Sequence, residues 1–143
     1  MLAGAKGYKS EQVFDEIRRL KLSSKVKYIG YVTHNQKMEL LKHAACFVFP
    51  SSYEWFGLPV LEALAFGTPV ITSNISSLTE VAGSAALLVE PEKEASIAAA
   101  LKKLLTSPGL QASLRKKGPT QAKRFSWETC ARETIKVYQG AGK

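Results

Sequence analysis

The chain has 143 residues, of which 45% are hydrophobic, and a net charge of +8. This length suffices for one domain with one core, and the hydrophobic content excludes a disordered chain. No apolar run approaches the roughly 20 residues that a membrane-spanning helix needs. Residues 1–7 are too few and too soon polar for a signal peptide, so we expect a cytoplasmic globular protein.

The positive charge is concentrated in the two flanks of the chain. Residues 1–43 carry nine Lys/Arg against four Asp/Glu, and residues 111–143 carry eight against two, whereas residues 44–110 carry three against six. Nucleic-acid-binding proteins usually gather cations and aromatic residues on their working face. Because the central segment of this chain is acidic and its cations lie in the flanks, no nucleic-acid partner is expected. We favour solvated helix surfaces for the flanks. Attachment of the basic helices to an anionic membrane surface, or to a polyanion, is the alternative.

Short apolar strands alternate with helices over residues 1–91. The predicted strands cover residues 2–4, 25–29, 46–49, 69–72 and 86–89. Predicted helices begin at Ser10 and after Thr33, which forms a capping box with Gln36, and two more cover residues 59–66 and 77–82. Gly67 suits the left-handed cap that ends the third helix. This alternation predicts an α/β fold with a parallel sheet and helices on both faces.

Residues 92–143 are predicted to be helical. The helix over 108–124 is expected to break or bend near Gly118–Pro119, because proline has no amide hydrogen. The last helix carries an apolar stripe that we expect to be core: Trp127, Ala131, Ile135 and Tyr138. Cys46 lies in a predicted buried strand and Cys130 in this last helix, so we expect reduced core thiols rather than a disulfide or a metal pair.

The most informative segment follows the strand that ends at residue 49. Glu54 lies in a loop and Glu62 lies on the next helix, separated by seven residues. A carboxylate can accept two hydrogen bonds from a vicinal diol, and the free amides of a helix start attract an anion. Diol, phosphate and diol are the outline of a nucleotide-sugar. The alternative is that both acids merely stabilise the helix dipole, at ~0.3–1 kcal/mol each.

Residues 50–71 resemble the E-x7-E signature of the retaining "group 1" glycosyltransferases, because after the strand they carry, in order, Pro-Ser, an acid, a glycine, a helix with a second acid, and Gly-x-Pro. Enzymes of that family have the GT-B fold of two Rossmann-like domains. Residues 26–32, 77–81, 86–91 and 125–127 fit as well, so the resemblance covers nearly the whole chain. It implies a single, partial donor-binding domain over 1–143, with a core over 1–91 and closing helices over 92–143. This would be the carboxy-terminal half of a GT-B enzyme, truncated at its amino end. The acceptor domain and a basic Arg–Lys pair would lie outside the chain, which would then be inactive alone.

The resemblance also implies separate roles for the residues of the signature. Glu54 would hold hydroxyls of the transferred sugar, and Glu62 would hold the ribose diol. The amides of Phe56, Gly57 and Leu58 would meet the sugar. These residues bind and position the donor, and no catalytic residue is assigned.

Two further contacts follow from the same resemblance. The amides of Leu58 and Val60 would meet the diphosphate, and Tyr31 and Val32 would border the base. No metal and no cofactor are expected beyond the donor itself, which would be linked to UDP, GDP or ADP. The reaction would transfer a hexose to an acceptor hydroxyl. The alternatives are a non-catalytic nucleotide-sugar-binding module, or an epimerase or phosphorylase on the same fold.

Overall fold

The structure, a computed structural model, describes residues 1–141, which divide into two compact units at the boundary between Glu39 and Leu40. The first unit contains α1 (Ser10–Arg19) and the start of α2 (His34–His43). The second unit begins within α2 and contains all the remaining elements. These are β1 (Phe47–Phe49), α3 (Leu58–Ala65), β2 (Val70–Ser73), α4 (Leu78–Ala82), β3 (Ala86–Val89), α5 (Glu94–Leu105), α6 (Pro108–Ala122) and α7 (Trp127–Ala141).

The two strands predicted in the first unit are reduced to one parallel bridge between Leu2 and Tyr28. The Leu2 amide donates to Lys27 O at 2.8 Å, and Leu2 O accepts from the Ile29 amide at 3.0 Å. A pair of such short segments lacks the further partner strands that extend and stabilise a ladder. The capping box at the start of α2 is confirmed, because the Thr33 amide donates to Gln36 Oε1 at 2.9 Å and the Gln36 amide donates back to Thr33 Oγ1 at 3.3 Å.

The second unit is built on a parallel three-stranded sheet in the order β1-β2-β3. Val70 pairs with Phe47 on one side and with Ala86 on the other. All four residues of β2 are buried, so both faces of the sheet are covered at its centre. Helices α3, α4 and α5 contact this strand. The predicted α/β fold with a parallel sheet flanked by helices is confirmed.

The core of the second unit joins the sheet to the late helices. Ile71 and Val89 pack with Leu104 of α5 and Leu114 of α6, and all four side chains are buried. Helix α3 ends at a Schellman motif: the Gly67 amide donates to Leu64 O, and the Thr68 amide donates to Ala63 O. Gly67 has a φ of 69°, as the prediction of a left-handed cap requires.

Of the break or bend predicted in α6, the break is wrong, because the helix continues through Pro119. Pro119 leaves the carbonyl of Arg115 without its usual intrahelical donor. That oxygen lies against Gly67, only 2.9 Å from where a Cβ would stand. Next to Pro119, Gly118 meets the Leu64 carbonyl oxygen, which a Cβ would approach to 2.7 Å. The close packing of α6 on the end of α3 therefore holds the helix together across the proline.

The expectation of a buried stripe on the last helix is also wrong. Helix α7 has no buried residue within the described range, and Trp127 is 77% exposed. Both cysteines are free, but Cys130 on this helix is exposed, while Cys46 is half-buried. Among residues 1–141, no helix is both long enough and apolar enough to cross a bilayer.

Candidate functional site

The candidate site is formed by the motif loop, residues 50–57, which joins the carboxyl end of β1 to the start of α3. The segment from β2 to α4 runs beside this loop. In open α/β sheets, ligands bind beyond the carboxyl ends of the parallel strands. The predicted site therefore lies at the edge of the sheet where this fold binds its ligands.

Two hydroxyl groups at the end of β2 fix the start of the motif loop. Thr72 Oγ1 donates to Phe49 O at 2.9 Å, and Ser73 Oγ donates to Ser51 O at 2.6 Å. Both residues are buried, so these bonds also satisfy hydroxyls that would otherwise be costly to bury. The loop thus leaves the sheet in a direction set by its neighbouring strand.

The main chain of Glu54 is held on both sides. Its amide donates to Ser76 Oγ at 3.3 Å, and its carbonyl accepts from Ser77 Oγ at 2.9 Å. Ser76 itself has a φ of 50°, in the left-handed region. The side chain of Glu54 is half-buried. Sequence reasoning missed this pair of serines; the available signal was a cluster of hydroxyl residues immediately after a buried strand.

Gly57 is the residue at which the loop becomes a helix. Its φ of 96° is in the left-handed region, and a Cβ on Gly57 would lie 2.6 Å from Leu78 Cδ2. Both features require glycine here. Helix α3 begins at Leu58, one residue earlier than predicted, with Pro59 in its first turn.

The amides at the start of α3 fall into two groups. The Val60 amide donates to Gly57 O at 3.0 Å, so this predicted phosphate donor is engaged within the first turn. The amides of Phe56, Gly57 and Leu58 donate to no acceptor within residues 1–141. Those three N–H groups lie at the positive end of the helix dipole. Together they form the arrangement of donors that binds anions at helix starts.

The aromatic residues of the loop face different surroundings. The ring of Phe56 packs edge-on against Phe125, with ring centroids 5.6 Å apart. Tyr53 and Trp55 form a second edge-on pair at 5.6 Å, and Trp55 is 88% exposed. Phe56 can therefore serve a ligand through its amide, because its ring is taken up by packing.

Glu62 lies one helical turn after Leu58, so the two residues share a face of α3. Glu62 is half-buried, and its Oε2 atom is buried. Val60, Ala63 and Leu64 lie on the buried side of the same helix. The structure thus places the carboxylate of Glu62 on a rigid element that follows the three available amides.

The two residues predicted to border a base lie in the first unit. Tyr31 is 79% exposed, and Val32 is half-buried. They follow Gly30, which has a φ of 71°, and precede the capping box of α2. Their contact with a base stays a prediction. Within the described residues, no group of three or more His, Cys, Asp or Glu side chains could hold a metal ion.

Comparison with known proteins places this chain in a family. The O-antigen chain mannosyltransferase B of Escherichia coli is 37% identical over 139 residues, which cover 97% of this chain and 36% of that protein. The glycogen synthase of Mycobacterium tuberculosis is 34% identical over 138 residues, which cover 94% of this chain and 33% of that protein.

A solved structure shows the same fold. Sucrose-phosphate synthase from Thermosynechococcus elongatus superposes with a TM-score of 0.87 and 28% identity, covering 98% of this chain and 37% of that one. The likeness agrees with the α/β fold described above. The chain spans about a third of the length of these relatives.

The family assignment comes from a match to a whole-family profile. Residues 1–121 match the profile described as glycosyl transferases group 1, which is most of the chain. The sequence relatives and the structural likeness agree with this match. The chain therefore belongs to the glycosyl transferases group 1 family.

Proposed function

We propose that this chain binds the nucleotide-sugar donor of a retaining glycosyltransferase that transfers a hexose to an acceptor hydroxyl. The observation that carries the proposal is the motif loop. Hydrogen bonds with Ser76 and Ser77, here called the Glu54 clamp, hold the main chain of Glu54, and three available amides follow at the start of α3. Relatives named as a mannosyltransferase and a glycogen synthase support a hexose as the transferred group.

The diphosphate would bind at the start of α3. The Leu58 amide can donate to phosphate oxygens, while the amides of Phe56 and Gly57 can donate to the hexose. Gly57 lets the ligand approach the backbone because it has no side chain. Val60 would contribute only if its amide were shared between Gly57 O and the ligand. Negative charge develops on the leaving diphosphate during transfer, so donors aimed at it stabilise the transition state.

The two acids would position the two sugars. Glu54 would accept hydrogen bonds from hydroxyls of the hexose, and Glu62 would accept from the ribose diol. Neither is assigned as a general base or a nucleophile. No metal is needed in this scheme, and the donor would be linked to UDP, GDP or ADP.

We further propose that the chain alone binds the donor without transferring the sugar. Its sequence relatives are about three times as long, so the parts of those proteins outside the match are available to bind an acceptor. Incubation of the chain with each nucleotide-sugar should release no nucleoside diphosphate above the rate in buffer. Steady release would contradict this part of the proposal and leave donor binding intact.

Calorimetric titration with UDP-glucose, GDP-mannose and ADP-glucose tests the binding site. Glu62→Ala should weaken every donor by about tenfold or more, because a hydrogen bond to a charged group contributes ~1.5–3 kcal/mol. Glu54→Ala should weaken the nucleotide-sugars more than the nucleoside diphosphates, because it loses only hexose contacts. Glu92→Ala is the matched control, since this exposed acid lies outside the motif loop and α3. Equal affinities of wild type and both site variants would refute the assignment.

A further inference from the structure

A second polar concavity, here called the basic groove, lies between α6 and the turn that precedes β3. It is an open groove of about 560 Å³. Its lining is made of hydroxyl and cationic side chains with one amide and one methyl group: Ser84, Ala85, Ser113, Lys116, Lys117, Thr120, Gln121 and Arg124. A groove of this volume can hold a small organic ligand.

The sequence builds one side of the groove from a single helix face. Ser113, Lys116, Lys117 and Thr120 are spaced at i, i+3, i+4 and i+7 along α6, so they project in similar directions. Leu114 and Gly118, on the buried side of α6, face the core and α3 instead. The cationic face is therefore fixed by the same packing that holds the helix in place.

The far end of the groove is held by Gln121, which is buried. Its Nε2 donates to Glu80 O at 3.0 Å and to Val81 O at 3.1 Å, at the end of α4. Its Oε1 accepts from Arg124 Nη1 at 3.3 Å. Gly83 is so close that a Cβ there would lie 2.8 Å from the Gln121 amide nitrogen. The guanidinium of Arg124 is thus oriented by a buried side chain with a fixed position.

The charge of the groove is uncompensated by the chain itself. Within residues 1–141, no carboxylate lines the groove, and Lys116, Lys117 and Arg124 take part in no ion pair. Helices α1 and α7 differ, because Arg19 pairs with Glu16 and Lys136 pairs with Glu133. Three cations that share one concavity repel each other, and an anion between them removes that repulsion.

We propose that the basic groove binds the phosphate group of a phosphate monoester. Lys116 and Lys117 supply point charges, and Arg124 supplies a planar donor that suits phosphate oxygens. The hydroxyls of Ser84 and Thr120 can donate to the same group. The volume exceeds that of a phosphate ion, so the remaining space accommodates the organic part of the ester.

The basic groove shares Arg124 with the concavity at the start of α3 that Phe56 and Leu58 line, but its other lining residues lie outside that concavity. Ser84 and Ala85 precede β3 and so lie at the amino edge of the parallel sheet, whereas the motif loop follows the carboxyl end of β1. The two sites would bind phosphate with different groups: side-chain cations in the groove, and the backbone amide of Leu58 at the start of α3.

The test measures binding of glycerol 3-phosphate to the 143-residue chain by calorimetry and by amide chemical shifts. We expect saturable binding with shifts at Ser84, Ala85 and Thr120. Replacing Lys116 and Lys117 together by Gln should weaken the affinity by about tenfold or more. The matched control replaces Lys102 and Lys103 of α5, an adjacent exposed pair outside the groove, and should change the affinity by less than about twofold. Arg124→Gln should also weaken binding, with Lys123→Gln as its neighbour control.

Two sources of the phosphate group are distinguished by a second arm. Vesicles of phosphatidylcholine with and without phosphatidic acid present the same monoester as a lipid headgroup. Binding of glycerol 3-phosphate that is weakened when Lys116 and Lys117 are replaced supports a soluble ligand. Binding to phosphatidic acid vesicles alone, weakened by the same replacement, supports a membrane headgroup. Equal affinity for the phosphate monoester in the Lys116/Lys117 variant and in the Lys102/Lys103 control would overturn the proposal. Chemical shift changes confined to Gly57 and Leu58, or binding only to duplex DNA, would also overturn it.

Discussion

The Ser77 hydroxyl donates to the backbone carbonyl of Glu54 at 2.9 Å, which joins the start of α4 to the motif loop. The neighbouring Ser76 accepts from the Glu54 amide, so the peptide units on both sides of this acid are fixed. Helix α4 packs on the central strand of the sheet. The position of Glu54 is therefore fixed by the core of the second unit as well as by the loop. A carboxylate on a loop can in this way reach the precision that a binding site needs.

Ser77→Ala should reduce donor affinity although Ser77 itself is not assigned a ligand contact. The substitution removes one hydrogen bond to a partly buried carbonyl, so we expect the free energy of unfolding to fall by ~0.5–1.5 kcal/mol and donor affinity to fall by several fold. Calorimetric titration and urea unfolding measure the two effects. Thr106→Ala is the control, because its hydroxyl makes the same kind of bond to Lys102 O at 2.8 Å, away from the site. Unchanged donor affinity in Ser77→Ala would show that the clamp does not position Glu54.

Gly57→Ala should destabilise the second unit. The left-handed φ of 96° strains any L residue, and the new Cβ would meet Leu78 Cδ2 at 2.6 Å. Leu78 is fully buried, so it has little room to move away. We expect a loss of ~1–3 kcal/mol in the free energy of unfolding, measured by urea titration. Gly109→Ala, which adds a Cβ into open space at the start of α6, should be neutral or slightly stabilising. A neutral Gly57→Ala would mean that the loop can adopt another path.

Gly118→Ala tests the contact that keeps α6 intact across Pro119. Alanine favours the helix by ~1 kcal/mol over glycine, but here its Cβ would stand 2.7 Å from the Leu64 carbonyl oxygen. Because that neighbour is backbone, the helices must separate, and we expect a net loss of ~1–3 kcal/mol in the free energy of unfolding. Gly140→Ala on α7, with nothing within 4 Å, isolates the helix-propensity gain. If both variants were stabilised alike, the close approach of α6 to α3 would be wrong.

The features that sequence reasoning predicted well are local. The Thr33–Gln36 capping box and the Gly67 cap each depend on a few neighbouring residues, and the structure has both. The start of α3 was missed by one residue, because Pro59 occupies the second helical position rather than the first. Strand and helix order along the second unit could be predicted for the same reason: each element carries its own periodicity and its own stop signals.

The features that sequence reasoning missed depend on contacts between distant segments. Helix α6 continues across Pro119 because it packs closely against Gly67 and Leu64, which lie more than fifty residues before that proline in the sequence. The Glu54 clamp joins residues 22 and 23 positions apart. The apolar stripe of α7 has a helical period whether or not another element covers it, so periodicity alone could not distinguish a core face from the exposed face that Trp127 occupies.

The two cysteines should differ in reactivity, because burial raises the pKa of the half-buried Cys46 thiol. The thiolate is the reacting species, so a raised pKa lowers the reactive fraction at a given pH and moves the rise of the rate to higher pH. In Cys130→Ser, which retains Cys46, the rate of alkylation by iodoacetamide should rise at a higher pH in the folded chain than in urea. In Cys46→Ser, the exposed Cys130 should react roughly tenfold faster or more than folded Cys46 at the same pH. Two results together would contradict the burial of this thiol beside the Ile71 cluster. The two variants would be alkylated at equal rates in the folded chain, and the pH dependence of Cys46 alkylation would be the same in the folded chain and in urea.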